Sequence, residues 1–283
     1  LSALRSQASS RIDLIKSNLE RWRWVPREFE ARYVAVNVPE QSLVFVQDRN
    51  VALRSRVIVG RRSSTTPILR TSVRAVKANP PWNIPGDIAA RDLLPYMRRN
   101  PNYLKERRMV LVDTLETDPY GHQIDWRAVE PSEFYYSVRQ LPGPDTALGD
   151  LMLDMPNDFD VYLHDTPAKG LFAHADRTVS NGCVRVQEIY PLASLALTGD
   201  PDAGMARLND AIATGETQIL DLQNPLPVYL LYWTAVPSSE GGLTFPPDLY
   251  DRDDALIGAL NGRRGAVLAR TASVGMQVAA NAD

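Results

Sequence analysis

The sequence predicts a mainly β, α+β fold. Three observations carry that prediction. Short runs rich in β-branched residues are separated by turn signals, helix-compatible segments gather after most of the strands, and no regular strand–helix alternation of a doubly wound parallel sheet is present. From a cap at Ser9 or Ser10, the residues Ile12, Ile15, Leu19 and Trp22 share one helical face until Pro26 stops the run. Strands follow at Tyr33 to Val38, Leu43 to Val46 and Arg56 to Val59, with Pro39-Glu40 and Asp48-Arg49-Asn50 as the turns of an antiparallel meander. At Asn79 the texture changes: Pro80, Pro81, Pro85 and Pro95 crowd together, and a basic stretch from Met97 to Arg108 follows, with Tyr96 and Tyr103. Residues 79–126 therefore read as an insertion. Strand-like text resumes near Tyr135, at Asp160 to Leu163 and at Val228 to Trp233; Glu188 to Leu197, Ala203 to Ile212 and Asp253 to Leu260 have helical spacing. Four parts result: a leading helix (1–27), a main domain (28–78 with 127–262), the insertion (79–126) and a flexible tail (263–283).

Composition removes several function classes. Of 283 residues, 44% are hydrophobic and 23% charged, which suits a chain that buries a core. Lysine and arginine number 31 against 34 acidic residues, so the net charge of −3 offers nothing to a nucleic-acid polyanion. No apolar run reaches the roughly eighteen residues of a membrane-spanning helix, and the single cysteine excludes an intramolecular disulfide framework. His-Glu-x-x-His and paired Cys-x-x-Cys are missing, so no metal site is expected. The Ser-x-x-Lys and Lys-Thr-Gly strings of penicillin-binding enzymes, the Gly-x-Ser-x-Gly elbow and the phosphate-cradling glycine motifs are missing as well, and no cofactor is implied.

The chemistry concentrates on two residues. Cys183 stands in Ser180-Asn181-Gly182-Cys183-Val184-Arg185-Val186, where small polar residues lead into a β-favouring run and a glycine permits close approach of a substrate backbone. A thiol attacks as its thiolate, which an adjacent base or cation favours; Arg185 lies two residues on. His164 closes the strand-like Val161-Tyr162-Leu163-His164, a rigid mount for a base. Taken singly, Cys183 reads as an inert buried thiol, His164 as a structural histidine and Arg185 as a salt-bridge partner; together they read as a nucleophile with its base. His122 and His174 fall in loops with ordinary surface roles. The histidine precedes the cysteine, the reverse of the papain-like order.

Histidine followed by Ser/Thr-x-Gly-Cys-x-Arg resembles the L,D-transpeptidase catalytic domain of the YkuD type, the family that cross-links bacterial peptidoglycan. The strings Tyr162-Leu163-His164-Asp165-Thr166-Pro167, Arg139-Gln140-Leu141-Pro142-Gly143-Pro144, Met155-Pro156-Asn157, Glu20-Arg21-Trp22-Arg23-Trp24 and Asn79-Pro80-Pro81-Trp82-Asn83 are similar to the large Gram-negative branch typified by YcbB, over about residues 10–260. Many family members carry histidine two residues before the cysteine; here it is Asn181, which leaves His164 as the base.

The resemblance implies a β-sandwich or barrel-like catalytic core with a partly helical capping subdomain inserted at 79–126. It implies Cys183 as nucleophile, His164 as base, and backbone N–H groups of Gly182 and Cys183 as oxyanion donors, with Tyr162, Ser180, Asn181, Arg185 and Trp82 binding substrate. Asp165 and a backbone carbonyl both remain open as the partner of His164. The implied donor and acceptor are peptidoglycan tetrapeptide stems, the reaction joins third residues of two stems, and carbapenem β-lactams are covalent inhibitors. A periplasmic monomer that meets cell-wall synthases is the implied setting. Water or a free D-amino acid as acceptor, and a non-catalytic peptidoglycan-binding module, are the competing readings.

Overall fold

A computed structural model of the chain describes residues 2–238 and 240–262; the tail expected at 263–283 lies outside the described residues. A long helix, α1 (Ser2–Trp22), leads into the antiparallel meander β1 (Arg32–Asn37), β2 (Ser42–Gln47) and β3 (Asn50–Gly60), followed by β4 (Leu69–Ala78). The insertion contributes β5 (Trp82–Ile84), β6 (Met109–Leu111) and β7 (Val138–Gln140), which pair antiparallel in the order β5–β7–β6. The main sheet then resumes with β8 (Leu151–Asp154), β9 (Leu163–His164), β10 (Thr178–Ser180) and β11 (Val184–Val186). Helices α2 (Ile189–Thr198) and α3 (Pro201–Ala213), strand β12 (Gln218–Leu231) and helix α4 (Asp253–Leu260) complete the order.

The main sheet runs β10–β3–β11–β9–β8–β4–β12–β1–β2, and β2 also pairs with β3. The long β3 serves both ends: Asn50 to Arg56 meets β2, and Val57 and Ile58 meet β11. The sheet thereby closes on itself through β3 and β2, and among its described strands only the short β10 is left at an edge. Inside lie Val36, Phe45, Val57, Val73, Leu153, Leu163, Val184 and Leu230, packed against α2 and α3. Each such side chain contributes about 1.5–3 kcal/mol on burial. Asp200 caps α3 through hydrogen bonds from the Asp202 and Ala203 N–H groups, with Pro201 next to it and Gly199 closing α2 at φ 76°.

Several boundaries differ from the sequence reading: the third strand opens at Asn50 where Arg56 was expected, and the strand expected at Asp160 to Leu163 is confined to Leu163–His164. The insertion has its own core, Ile84, Leu94, Leu104, Leu111, Trp126, Phe134 and Val138, so it runs beyond 126 and includes the strand text near Tyr135. Its strands are three residues each, too short for a periodicity signal. Strand β12 begins at Gln218, well before Val228, because pairing with β4 overrides the turn signature of Asn224-Pro225; a register shift absorbs the proline region between Asp221 and Leu226. Helix α1 starts before Ser9, and it buries Ser17, Asn18 and Arg21 while Ile12, Leu19 and Trp22 stay exposed. The reason is polar satisfaction: Asn18 and Arg21 donate to Thr234 Oγ1 at 3.0 and 3.1 Å, and Arg21 pairs with the buried Asp253 of α4.

Candidate active site

Alternation along β9 and β11 sorts the side chains. Leu163, Val184 and Val186 enter the core, so Tyr162, His164, Cys183 and Arg185 share the opposite face. The parallel register pairs Val184 with Leu163 and Arg185 with His164, which brings together four of the residues predicted from sequence. His164 is 3% exposed and its Nδ1 has no hydrogen-bond partner among the described residues, leaving a ring nitrogen open to accept a proton. The adjacent Asp165 turns away. Its carboxylate accepts the Asp150 N–H at 3.1 Å and the Lys169 ammonium, and it packs against Gly149, whose φ of +64° and lack of a side chain leave the necessary room. Of the two partners left open for His164, the carboxylate is thus committed elsewhere, and backbone carbonyls of Leu148 and Asp165 are the groups that favour its proton.

The loop before Cys183 is fastened from beneath. Ser64 Oγ donates to the Asn181 carbonyl at 3.2 Å, Thr66 Oγ1 to the Gly182 carbonyl at 2.8 Å, and Ser180 Oγ to the Cys183 carbonyl at 2.6 Å. Thr66 in turn accepts the Gly60 N–H at 2.9 Å, and the Tyr250 hydroxyl donates to the Gly60 carbonyl at 2.6 Å. Gly182 sits at φ +112°, a conformation that a side chain resists, so glycine there is a backbone requirement. Its N–H donates to Ser180 Oγ at 3.2 Å, which occupies one of the two donors assigned to an oxyanion. Ser180 is therefore a buried brace of the loop. Asn181 accepts from Arg61 and, at 3.0 Å, from Arg91 of the insertion, while Arg61 lies 3.6 Å from the Asp92 carboxylate.

Burial holds the pair neutral. Desolvation and then Arg185 push His164 down to about 3, so the imidazole is uncharged at neutral pH. Burial likewise raises the Cys183 thiol, opposed by the Tyr162 N–H and by Arg185, and reinforced by Asp160. The thiol donates to the Asp160 carbonyl at a sulfur–oxygen distance of 3.7 Å. Tyr162 is pushed up to about 12, by burial first and then by Cys183, Asp160 and Asp154. Beside these residues opens a cavity of about 510 Å³ lined by Trp82, Lys77, Met152, Asp154, Asp160 and Tyr162. Trp82 lines this cavity from the root of the insertion. His122 and His174 are exposed.

The profile of the YkuD family, described as the L,D-transpeptidase catalytic domain, matches residues 31–202, a span that holds both His164 and Cys183. The chain belongs to that family. A Haemophilus influenzae protein named "Putative L,D-transpeptidase" is 36% identical over 250 residues, covering 88% of this chain and 50% of its own length, so the chain spans about half of that relative. Among solved structures, the Enterococcus faecium L,D-transpeptidase is 12% identical, with a TM-score of 0.32 over 72% of this chain and 50% of that one. The Mycobacterium smegmatis L,D-transpeptidase is 11% identical, with a TM-score of 0.31 over 71% and 58%. No described helix of this L,D-transpeptidase domain is long and apolar enough to cross a membrane.

Sequence reasoning passed over Thr66, Ser64 and Tyr250, which brace the loop, and Arg61, Arg91 and Asp160, which flank it. Hydroxyls in loops carry no signal until tertiary contacts show what they hold. In the basic stretch from Met97 to Arg108, Arg98 donates to the Val129 carbonyl at 2.6 Å and Arg108 to the Pro142 carbonyl at 2.6 Å, so both tie backbone in and beside the insertion.

Proposed function

We propose that the domain is a peptidoglycan L,D-transpeptidase of the YcbB-like branch, acting in the periplasm on tetrapeptide stems. The observation that carries the reading is the shared face of Cys183, His164 and Arg185 over a loop whose three successive carbonyls are each fixed by a hydroxyl. His164, neutral and with Nδ1 free, takes the thiol proton. Cys183 attacks the carbonyl between diaminopimelate and the terminal D-alanine, helped by the Tyr162 N–H and Arg185, both of which favour thiolate. With the Gly182 N–H engaged by Ser180, the Cys183 N–H is the oxyanion donor of the pair, a role commonly contributing about 2.7–4 kcal/mol to transition-state stabilisation. D-Alanine leaves with the proton from His164, and the thioester passes to the side-chain amine of a second stem. Trp82 and Tyr162 line the substrate cavity, and the insertion caps it. No cofactor takes part in this scheme.

Intact-protein mass spectrometry with purified tetrapeptide muropeptide and, separately, a carbapenem tests the reading. Wild type is expected to gain a lactam adduct, release D-alanine and form dimeric muropeptide, and Cys183→Ala to do none of these. D-Alanine release without dimers would make the domain a carboxypeptidase; a folded protein inert to both reagents would favour a binding module.

A further inference from the structure

Asp160 carries a contradiction. It follows a tight turn in which Asn157 Oδ1 accepts the Phe159 N–H at 3.0 Å and Asn157 Nδ2 donates to the Val161 carbonyl at 2.9 Å, and it takes φ +50°. That backbone conformation is open to asparagine or glycine as readily as to aspartate. The turn delivers the Asp160 carbonyl to 3.7 Å from Cys183 Sγ and makes the residue part of the wall of the cavity beside Tyr162 and Asp154. A negative charge in that place opposes the thiolate on which the first half-reaction depends. The turn does not require the charge, and the nucleophile is worse for it.

After acylation the sulfur carries no charge, and the carboxylate no longer costs anything there. The second half-reaction needs an amine that arrives in water as an ammonium. Asp160 is exposed on the cavity wall, and Asp154, its acidic neighbour there, is held by Lys77 at 3.1 Å. Arg185, Lys77, Tyr162 and His164 are the other titratable or charged groups around this space; His164 is neutral at working pH.

We infer that Asp160 is the specificity-determining residue of the second half-reaction: its carboxylate draws the ammonium form of the acceptor to the acyl-enzyme and so favours amine over water. This rests on the transpeptidase reading above. The ammonium gives up two protons; the nitrogen lone pair forms the C–N bond, the C–S bond breaks with its electron pair returning to Cys183 sulfur, one proton ends on that sulfur and the other in solvent. Captured in this way, the stem leaves as an amide.

The test uses Asp160→Asn, which keeps the turn, and Asp158→Asn, an exposed neighbour in the same loop, as control. Three measurements are made on the folded domain. They are the rate of Cys183 alkylation by iodoacetamide, which is uncharged; the ratio in which the acyl-enzyme is captured by a diaminopimelate tripeptide against hydroxylamine, which is uncharged at neutral pH; and dimeric muropeptide yield. Asp160→Asn is expected to raise alkylation about two- to fivefold and to lower the capture ratio about fivefold or more, the size of one solvated charge pair, whereas Asp158→Asn moves neither. Opposite signs in the two half-reactions are what a merely structural residue does not produce. Both rates falling together, or neither moving, in an enzyme whose wild type forms dimers, overturns the inference alone. A wild type that forms an acyl-enzyme but captures no amine overturns the transpeptidase reading and the inference with it.

Discussion

The closed sheet and the inserted subdomain hold the nucleophile loop in opposite ways. From the sheet side the loop is gripped by short hydroxyl contacts from Ser64, Thr66 and Ser180, with Tyr250 behind them, on a core of buried valines and leucines. From the insertion it meets a charged latch on the exposed side: Arg91 reaches Asn181, and Asp92 reaches Arg61. The insertion is built of three-residue strands and short helical turns, including a π turn at Ala89–Leu93 that presents both latch residues. Buried hydroxyl-to-carbonyl bonds cost about 1–3 kcal/mol to break, whereas exposed ion pairs contribute about 0–1 kcal/mol. The difference assigns precision to one side and looseness to the other: the sheet fixes the loop, and the latch is weak enough that, under the proposed function, it would open for a bulky stem.

The comparison breaks most severely at the chemistry itself. Cys183→Ala is expected to abolish acylation, and His164→Ala to slow it by about 10³-fold or more, both measured as carbapenem adduct formation. Next comes the grip from below. Thr66→Val strands the Gly60 N–H and the Gly182 carbonyl, so a loss of about 1–3 kcal/mol in urea unfolding should accompany a drop of at least about tenfold in acylation. Arg185→Leu removes a cation that favours thiolate and disfavours imidazolium, so the alkylation midpoint of Cys183 should move to higher pH, with acylation falling about tenfold at neutral pH. The smallest effect belongs to the latch: Arg91→Ala and Asp92→Ala remove contacts that substrate entry must break, so they should lower KM for muropeptide about two- to threefold and leave iodoacetamide alkylation of Cys183 as in wild type. An equal loss in Thr66→Val and Arg91→Ala would erase the division between the two sides.

The neutral histidine also sets a pH dependence. Its folded value near 3 lies below the ordinary 6.5, so the unfolded chain binds the extra proton between those values. The stability tied to His164 is complete above about pH 6.5 and is lost as pH falls toward about 3. Urea unfolding of His164→Gln against wild type between pH 7 and pH 4 should show a shallower decline in the variant.

Much of the fold was legible because local signals and tertiary structure agreed. The meander from Tyr33 to Gly60, helices α2 and α3 with their Gly199–Pro201 junction, and the Asp253–Leu260 helix are all written in periodicity and turn residues. Where they disagreed, the global structure prevailed. The stripe of Ile12, Leu19 and Trp22 suggests a buried apolar face, yet the opposite, polar face docks, because Asn18 and Arg21 find Thr234 and Asp253. Prolines marked the start of the insertion but not its end, since a three-residue strand such as β7 has no period to read.

The sequence by itself determined the fold class and singled out the candidate pair: a lone cysteine behind Ser-Asn-Gly, a histidine at a strand end, and β-branched runs between turns are local chemistry. Tertiary structure alone decided what surrounds that pair. The parallel register that sets Arg185 beside His164, the hydroxyls of Ser64 and Thr66 beneath residues far along the chain, the turning away of Asp165 and the arrival of Asp160 at the sulfur all join positions distant in sequence. The physical reason is that hydrogen bonds and charges act over a few ångströms, and which groups come that close is settled by how the closed sheet buries its core.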